Sequence, residues 1–82
     1  MGVKQMPLIV ASEEALVLAA RERTKLIYVE NDLYHQNEQG INRCLTAQGY
    51  RKLEEPGKKG HFFVCADIPL VRLDIYDPLN IL

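Results

Sequence analysis

This chain of 82 residues has few cysteines, a net charge close to zero and no long apolar run. Each of these features excludes a class of protein. Cys44 and Cys65 are far apart and belong to no Cys-x-x-Cys pair, which excludes a zinc-binding or redox motif of that spacing. The formal net charge is −1, so no overall field attracts the chain to nucleic acid or to an anionic membrane. No stretch approaches the ~20 apolar residues of a membrane span or resembles a cleaved leader. We therefore expect a cytoplasmic protein that does not enter the membrane.

The motifs of common catalytic sites are also missing. Ser12 is the only serine, and no Gly-x-Ser-x-Gly sequence surrounds it. Residues 57–60 match neither Gly-x-Gly-x-x-Gly nor a P-loop, so they predict a turn and no phosphate cradle. A nuclease of the restriction type would need Glu-x-Lys, which does not occur. We expect no complete catalytic constellation and no cofactor.

The composition is that of an ordinary globular protein, with 48% hydrophobic and 26% charged residues. A chain of this length has room for one hydrophobic core. We therefore predict a single α/β domain over residues 1–82.

The first half predicts a strand, a helix and a second strand. Residues 7–11 form an apolar run that is opened by Pro7 and is typical of a strand buried on both faces. Ser12 can cap a helix over residues 13–22, and the apolar run 15–20 indicates that this helix is covered on more than one side. Residues 25–30 are rich in β-branched and aromatic side chains and predict a central parallel strand.

The second half predicts a helix, a hairpin and a last strand. Residues 33–39 are polar and poorly periodic, so they fit a loop or a frayed helix. Ile41, Cys44 and Leu45 recur at helical spacing, and Gly49 can close that helix just after Gln48. Residues 50–54 and 61–66 flank a Pro-Gly turn and predict a β-hairpin, while residues 71–76 alternate like a strand with one wet side.

This order predicts an α/β fold of the two-layer sandwich type with a mixed sheet. The elements are strand-helix-strand-helix, followed by a β-hairpin and a final edge strand. Right-handed crossovers place both helices on one face of the sheet. The apolar residues 78–82 are unusual for a chain end, and they predict docking on a parent domain or on a second copy.

Four polar residues that follow the predicted central strand are candidate metal ligands: Glu30, Asp32, His35 and Glu38. The carboxyl ends of parallel strands commonly host ligands, and carboxylates and imidazole bind divalent metals. The same residues fit a strand-end turn in which Asn31 and Asp32 act as caps and the others form a solvated face. The turn is the more ordinary of the two interpretations.

The predicted hairpin carries a group of basic residues that are candidates for nucleic-acid binding: Arg51, Lys52, Lys58, Lys59 and His61. Small RNA-binding and RNA-cutting domains place basic residues and one histidine on such a hairpin. Two glutamates in the same hairpin dilute the positive charge, and no second histidine lies near His61 in sequence. His61 can act as a general base in principle, although a histidine at a strand start is usually inert.

Within residues 14–32 the chain carries Val17-Leu18-Ala19-Ala20 and Leu26-Ile27-Tyr28-Val29-Glu30-Asn31-Asp32, and further on it carries Leu45 and Gly49-Tyr50-Arg51. In these residues it resembles the C-terminal part of FkbM-type S-adenosylmethionine-dependent methyltransferases. The resemblance covers about half of the chain and implies a strand, a helix, a strand that ends in a glutamate, and a helix closed by a Gly-Tyr pair. The glycine-rich cofactor loop of that family lies upstream and has no counterpart here, and its Asp-Val-Glu-Gly-like strand end is replaced by residues 10–13. The resemblance therefore implies a reduced half of such a fold, whose exposed sheet edges association would cover.

Four functions follow from these patterns as hypotheses. The leading one is a non-catalytic interaction or accessory module that associates as a homodimer or with another protein. The second is a small nucleic-acid-binding or nucleic-acid-processing protein that uses the basic hairpin. The third is a metal-dependent enzyme built on Glu30, Asp32, His35 and Glu38. The fourth is a reduced methyltransferase-like domain without a cofactor site.

Overall fold

The structure, a computed structural model, describes residues 6–53 and 60–66, which form a four-stranded mixed sheet with helices on one face. The strands are β1 (Leu8–Val10), β2 (Leu26–Val29), β3 (Tyr50–Leu53) and β4 (His61–Cys65). The helices are α1 (Glu13–Arg21), α2 (Asn31–Gln36) and α3 (Glu38–Ala47). The strand order is β1-β2-β4-β3. These elements confirm the predicted α/β class with a mixed sheet.

Strand β2 occupies the interior of the sheet, as its sequence predicts, but it is parallel to only one of its two neighbours. All four of its residues are buried, and it pairs with β1 in parallel and with β4 in antiparallel orientation. The hairpin is confirmed as well, since β3 and β4 pair antiparallel with Tyr50 opposite Cys65. The hairpin does not simply extend the sheet in chain order, because β4 lies between β2 and β3. That order brings the start of β4 to the carboxyl end of β2.

Helix α1 begins and ends as predicted, but one side of it is open. The Ser12 side chain accepts a hydrogen bond from the Ala15 backbone N–H at 3.1 Å, which satisfies one of the unpaired donors of the first turn. Leu16 and its neighbours on the same face are buried against the sheet. Val17 and Leu18 are 45% and 51% exposed, so the expectation that this helix is covered on more than one side is wrong.

The polar segment that follows β2 is helical, and side-chain caps explain why. The Glu30 carboxylate accepts a hydrogen bond from the Asp32 backbone N–H at 3.3 Å and starts α2. The Asn37 side-chain oxygen accepts from the Gly40 backbone N–H at 3.2 Å and starts α3. These caps compensate for the weak apolar periodicity of the segment. Helix α3 ends before Gly49, whose φ of +87° is the left-handed conformation predicted there.

Alternation along the strands divides the buried side chains between the two faces of the sheet. The cluster between the sheet and the helices contains Val10, Leu16, Ala19, Ala20, Ile27, Val29, Tyr34, Ile41, Leu45, Tyr50, Phe63 and Cys65. The cluster on the opposite face contains Leu26, Tyr28, Leu53, Phe62 and Val64. Because β2 and β4 contribute to both clusters, these two strands anchor the fold.

Strand β1 differs from the prediction, because it lies at an edge of the sheet in the described part of the chain. Val10 is fully buried, but Leu8 is 47% and Ile9 is 55% exposed. The expectation that this strand is buried on both faces is therefore wrong. The predicted last strand at 71–76 and the apolar residues 78–82 lie outside the described residues. Within residues 6–53 and 60–66, no helix has the length and apolar character needed to cross a membrane.

Candidate functional site

Polar side chains from four elements meet just beyond the carboxyl end of β2. Val29, the last residue of β2, is paired with His61, so the antiparallel register places the start of β4 at this end. Lys52 is paired with Phe63, and two-residue alternation therefore puts Lys52 and His61 on the helix-covered face. We define the β2-end cluster as Asn31, Tyr34, His35, Glu38, Asn42, Lys52 and His61.

Tyr34 is the centre of the β2-end cluster. Its ring is 2% exposed and stacks on the His61 ring, with 3.8 Å between centroids and 16° between planes. Its hydroxyl accepts a hydrogen bond from Lys52 Nζ at 2.9 Å and donates one to Asn42 Oδ1 at 3.1 Å. Lys52 Nζ also lies 4.5 Å from the ring centroid, in the range of a cation–π contact. Tyr34 therefore holds a cation and an imidazole in a defined arrangement.

His61 is oriented from one side and approached by a second histidine from another. Its Nε2 lies 2.9 Å from Asn31 Oδ1, and the His35 ring meets it edge-on with 5.5 Å between centroids. Burial lowers the pKa of His61 below its ordinary value of 6.5, the positive charges of Lys52 and His35 lower it further, and Glu38 opposes the change. His61 therefore favours the neutral form at neutral pH, with its Nε2 proton donated to Asn31.

We expect the free energy of unfolding to fall as the pH is lowered from about 7.5 to about 5. The unfolded chain binds a proton at His61 near the ordinary value of 6.5, whereas the folded chain binds it only at lower pH. Protonation therefore favours the unfolded state, and this part of the stability is complete above 6.5 and lost below it. Urea unfolding at several pH values measures the slope.

The matched variant for this pH dependence is His61→Gln, because the amide can still donate to Asn31 but does not titrate. The two proteins differ only at this position, so the difference between the two slopes isolates His61. A flatter dependence is expected for the variant. Equal slopes in the two proteins would contradict the lowered pKa.

The structure brings together only part of the predicted metal set. His35 Nδ1 lies 3.0 Å from Glu38 Oε2, and both side chains are more than half exposed. The Glu30 carboxylate is used as the cap of α2, where it accepts from the Asp32 backbone. No group of three His, Cys, Asp or Glu side chains is placed to hold a metal ion anywhere in residues 6–53 and 60–66. The four candidates thus act as a cap, a capped residue and a hydrogen-bonded pair.

The basic hairpin residues are divided between the two faces of the sheet. Lys52 and His61 lie together on the helix-covered face, but Arg51 is paired with Val64 and belongs to the opposite face. Lys58 and Lys59 lie outside the described residues. The sequence reasoning missed Tyr34, Asn31 and Asn42, and it missed the approach of His35 to His61. A tyrosine next to a histidine was the one local signal, and it does not reveal a contact 27 positions further along the chain.

A second feature is an apolar surface on β1 and α1. Large apolar side chains are exposed on the strand and on the outer side of the helix, with exposures from 45% to 70%. A groove along the helix is lined by Val17 and Leu18 and by charged residues at its two ends. Among the described residues, β1 is hydrogen-bonded to β2 alone. We define the β1–α1 surface as Met6, Leu8, Ile9, Glu13, Glu14, Val17, Leu18 and Arg21.

Comparison of the chain with protein-family models, curated proteins and solved structures finds no match. A function for this chain therefore has to be argued from the geometry of the β2-end cluster and of the β1–α1 surface.

Proposed function

We propose that this chain is a non-catalytic interaction or accessory module that associates with a second copy of itself through the β1–α1 surface. One observation carries the proposal: Leu8, Ile9, Val17 and Leu18 are all about half exposed on an edge strand and the helix beside it. Exposed apolar residues at a strand edge promote association, because the contact removes the apolar side chains of both partners from water. Burial of these side chains therefore stabilises the associated state.

The edge of β1 is suited to pairing with a second β1. Its three residues are paired with β2 on one side, and no described strand lies on the other. A two-fold axis beside β1 would align two copies antiparallel and join the four described strands of each copy into one continuous sheet. Such pairing satisfies backbone groups with the hydrogen bonds that the sheet already uses. The same axis would place the two copies of α1 side by side and antiparallel on one face.

The charges on α1 favour a second copy over an unrelated partner. Glu13 and Glu14 begin the helix and Arg21 ends it, with Val17 and Leu18 between them. In an antiparallel pair of α1 helices, the acidic start of each would face the arginine of the other, and the apolar residues would meet in the middle. A closed two-fold contact needs this kind of self-complementary surface.

Sedimentation equilibrium tests the proposal, and we expect a concentration-dependent dimer. Arg21→Glu replaces attraction by repulsion at two symmetric places, so the dimer dissociation constant is expected to rise about tenfold or more. The triple variant E13K/E14K/R21E is expected to restore self-association, because the swapped charges are complementary again. Arg51→Glu is the matched control, since β3 is the strand at the other side of the sheet.

Two outcomes would contradict the proposal. A protein that stays monomeric at millimolar concentration would exclude self-association. A dimer that responds equally to Arg21→Glu and Arg51→Glu would use another surface. Thermal unfolding of each variant distinguishes lost association from lost folding, because charge changes at the ends of a helix cost about 0.3–1 kcal/mol through the helix dipole.

A reduced methyltransferase-like domain is a second candidate, favoured by the order of the described elements. Strand β1, helix α1, strand β2 with Glu30 at its end, and helix α3 followed by Gly49 and Tyr50 agree with the resemblance to FkbM-type enzymes. In this candidate, the open side of β1 is where the rest of such a sheet would pair. Because this candidate has no cofactor site, calorimetry is expected to show no binding of S-adenosylmethionine. That result, together with a protein that stays monomeric at millimolar concentration, would favour this candidate over the first.

We also propose that the protein works in a reducing compartment such as the cytoplasm. Cys44 and Cys65 are both free thiols, and Cys65 is buried in the core cluster under the helices. Buried thiols of this kind act as small apolar side chains and are common where disulfides are kept reduced.

A further inference from the structure

The self-association proposed above does not use the β2-end cluster, and we infer that this cluster binds a phosphate group through Lys52, His35 and His61. The ligand class is a phosphate monoester or inorganic phosphate. The inference is independent of dimer formation, because the cluster lies at the carboxyl end of β2 and shares no residue with the β1–α1 surface.

Lys52 retains hydrogen-bond donors, and each of the two histidines gains a further donor when its ring is protonated. Lys52 Nζ carries three N–H groups and gives one to the Tyr34 hydroxyl. His61 uses Nε2 toward Asn31, and His35 uses Nδ1 toward Glu38, which leaves one ring nitrogen of each histidine without a hydrogen bond in the described part of the chain. Protonation turns both of these nitrogens into charged donors. A tetrahedral oxyanion has the oxygens to accept from all three residues.

The surrounding charges favour an anion. Lys52 and His35 both oppose a positive charge on His61, because the three charges would then lie close together. Glu38 is the carboxylate that opposes them, and it is already hydrogen-bonded to His35. A bound dianion would neutralise the repulsion among the three cationic groups. Phosphate itself gains its second charge near pH 6, in the range where histidines titrate.

The arrangement of the cationic groups is built before any ligand arrives. Tyr34 is nearly inaccessible to solvent and contacts both Lys52 and His61. Its hydroxyl donates a hydrogen bond to Asn42 Oδ1, which fixes its position. Asn31 fixes the plane of the His61 ring. Side chains held in this way lose little conformational freedom on binding, so a small anion can be held by few contacts. A lysine on an unsupported surface lacks this advantage.

The test is an NMR titration of the His35 and His61 ring protons with inorganic phosphate at pH 6.5 and constant ionic strength. We expect saturable shifts at both rings and a rise in the pKa of His61. Lys52→Gln should weaken binding about tenfold, because it removes a charge-assisted hydrogen bond. Glu38→Gln should strengthen binding about threefold, because it removes the opposing charge. Lys25→Gln, at the opposite end of β2, is the matched control and should change nothing.

The outcomes separate the alternatives. Shifts that do not saturate, or equal weakening by Lys52→Gln and Lys25→Gln, would show general ionic screening and overturn the inference. Adenosine monophosphate should bind and adenosine should not. Much tighter binding of an oligonucleotide would show that the cluster belongs to a nucleic-acid-binding surface, and it would overturn the inference of a phosphate monoester site. If Lys52→Gln does not fold, the Glu38→Gln variant still tests the inference. Unchanged or weaker phosphate binding by Glu38→Gln would contradict the expected increase in affinity. Arg21→Glu should bind phosphate normally even if it is monomeric.

Discussion

Phe63→Ala is expected to lower the free energy of unfolding by about 3–5 kcal/mol. Phe63 is 1% exposed in the middle of β4, where it pairs with Ile27 in β2 and with Lys52 in β3. Removal of the ring loses its burial free energy and leaves a cavity between the sheet and the helices. Small domains have a total stability of about 5–15 kcal/mol, so this loss leaves a substantial unfolded population.

Urea unfolding followed by circular dichroism measures this loss. Val17→Ala is the matched control, because it also removes apolar atoms but from a side chain that is 45% exposed. It should cost well under about 1 kcal/mol in the monomer. A loss below about 1 kcal/mol for Phe63→Ala would contradict the placement of β4 inside the sheet. Because the Phe63 ring contacts Tyr34 at 6.3 Å between centroids, the folded fraction should also show a disturbed β2-end cluster.

Gly60→Ala is expected to lower the free energy of unfolding by about 2–4 kcal/mol. Gly60 precedes β4 with a φ of +97°, which a residue with a Cβ adopts only at a cost. A Cβ built there would also lie 2.3 Å from Cε2 of Tyr28. The Tyr28 ring cannot yield easily, because it is 4% exposed and packs edge-on against Phe62 with 5.2 Å between centroids.

Gly49→Ala separates the two costs. Gly49 has a similar φ of +87°, but the nearest neighbour of a Cβ built there is Nη2 of Arg23 at 3.4 Å, which is an ordinary contact distance. This variant should lose only the backbone cost of about 1–2 kcal/mol. The additional loss at Gly60 measures the clash with Tyr28. Equal losses for the two variants, in parallel urea unfolding experiments, would show that the Tyr28 ring moves aside.

Most elements of this fold carry local signals that can be read without coordinates. Ser12 caps α1, Gly49 ends α3, and the β-branched run of β2 is buried as predicted. The errors concern which side chains are covered. An apolar residue such as Leu8 or Val17 is equally compatible with a core and with an exposed surface, because hydrophobicity does not identify the neighbour that covers it. Only the position of β1 at an edge of the sheet shows that these residues are exposed.

The segment after β2 shows a different limit. Its apolar periodicity is weak, and a loop and a helix fitted it equally well. The caps at Glu30 and Asn37 favour the helical conformation. In each case a side-chain oxygen accepts a hydrogen bond from a backbone N–H that would otherwise be unpaired at the start of the helix. Both residues are visible in the sequence, but their side chains have competing uses in turns.

The sequence indicated several residues of the candidate site, but it did not indicate that they lie together. His35 and Glu38 belonged to one predicted site and Lys52 and His61 to another. The insertion of β4 between β2 and β3 joins them, since it brings His61 to within hydrogen-bond distance of Asn31, 30 positions earlier. The order of strands in a sheet depends on pairing between distant segments, and no local pattern encodes it.

The amino-acid sequence alone therefore determined the class of the domain, its helix ends and its central strand, because capping, chain stiffness and side-chain alternation act over a few residues. Tertiary structure decided which apolar residues stay exposed on β1 and α1 and which polar residues meet beside Tyr34. Those outcomes depend on the order and register of strands, and they arise from the sum of many distant contacts.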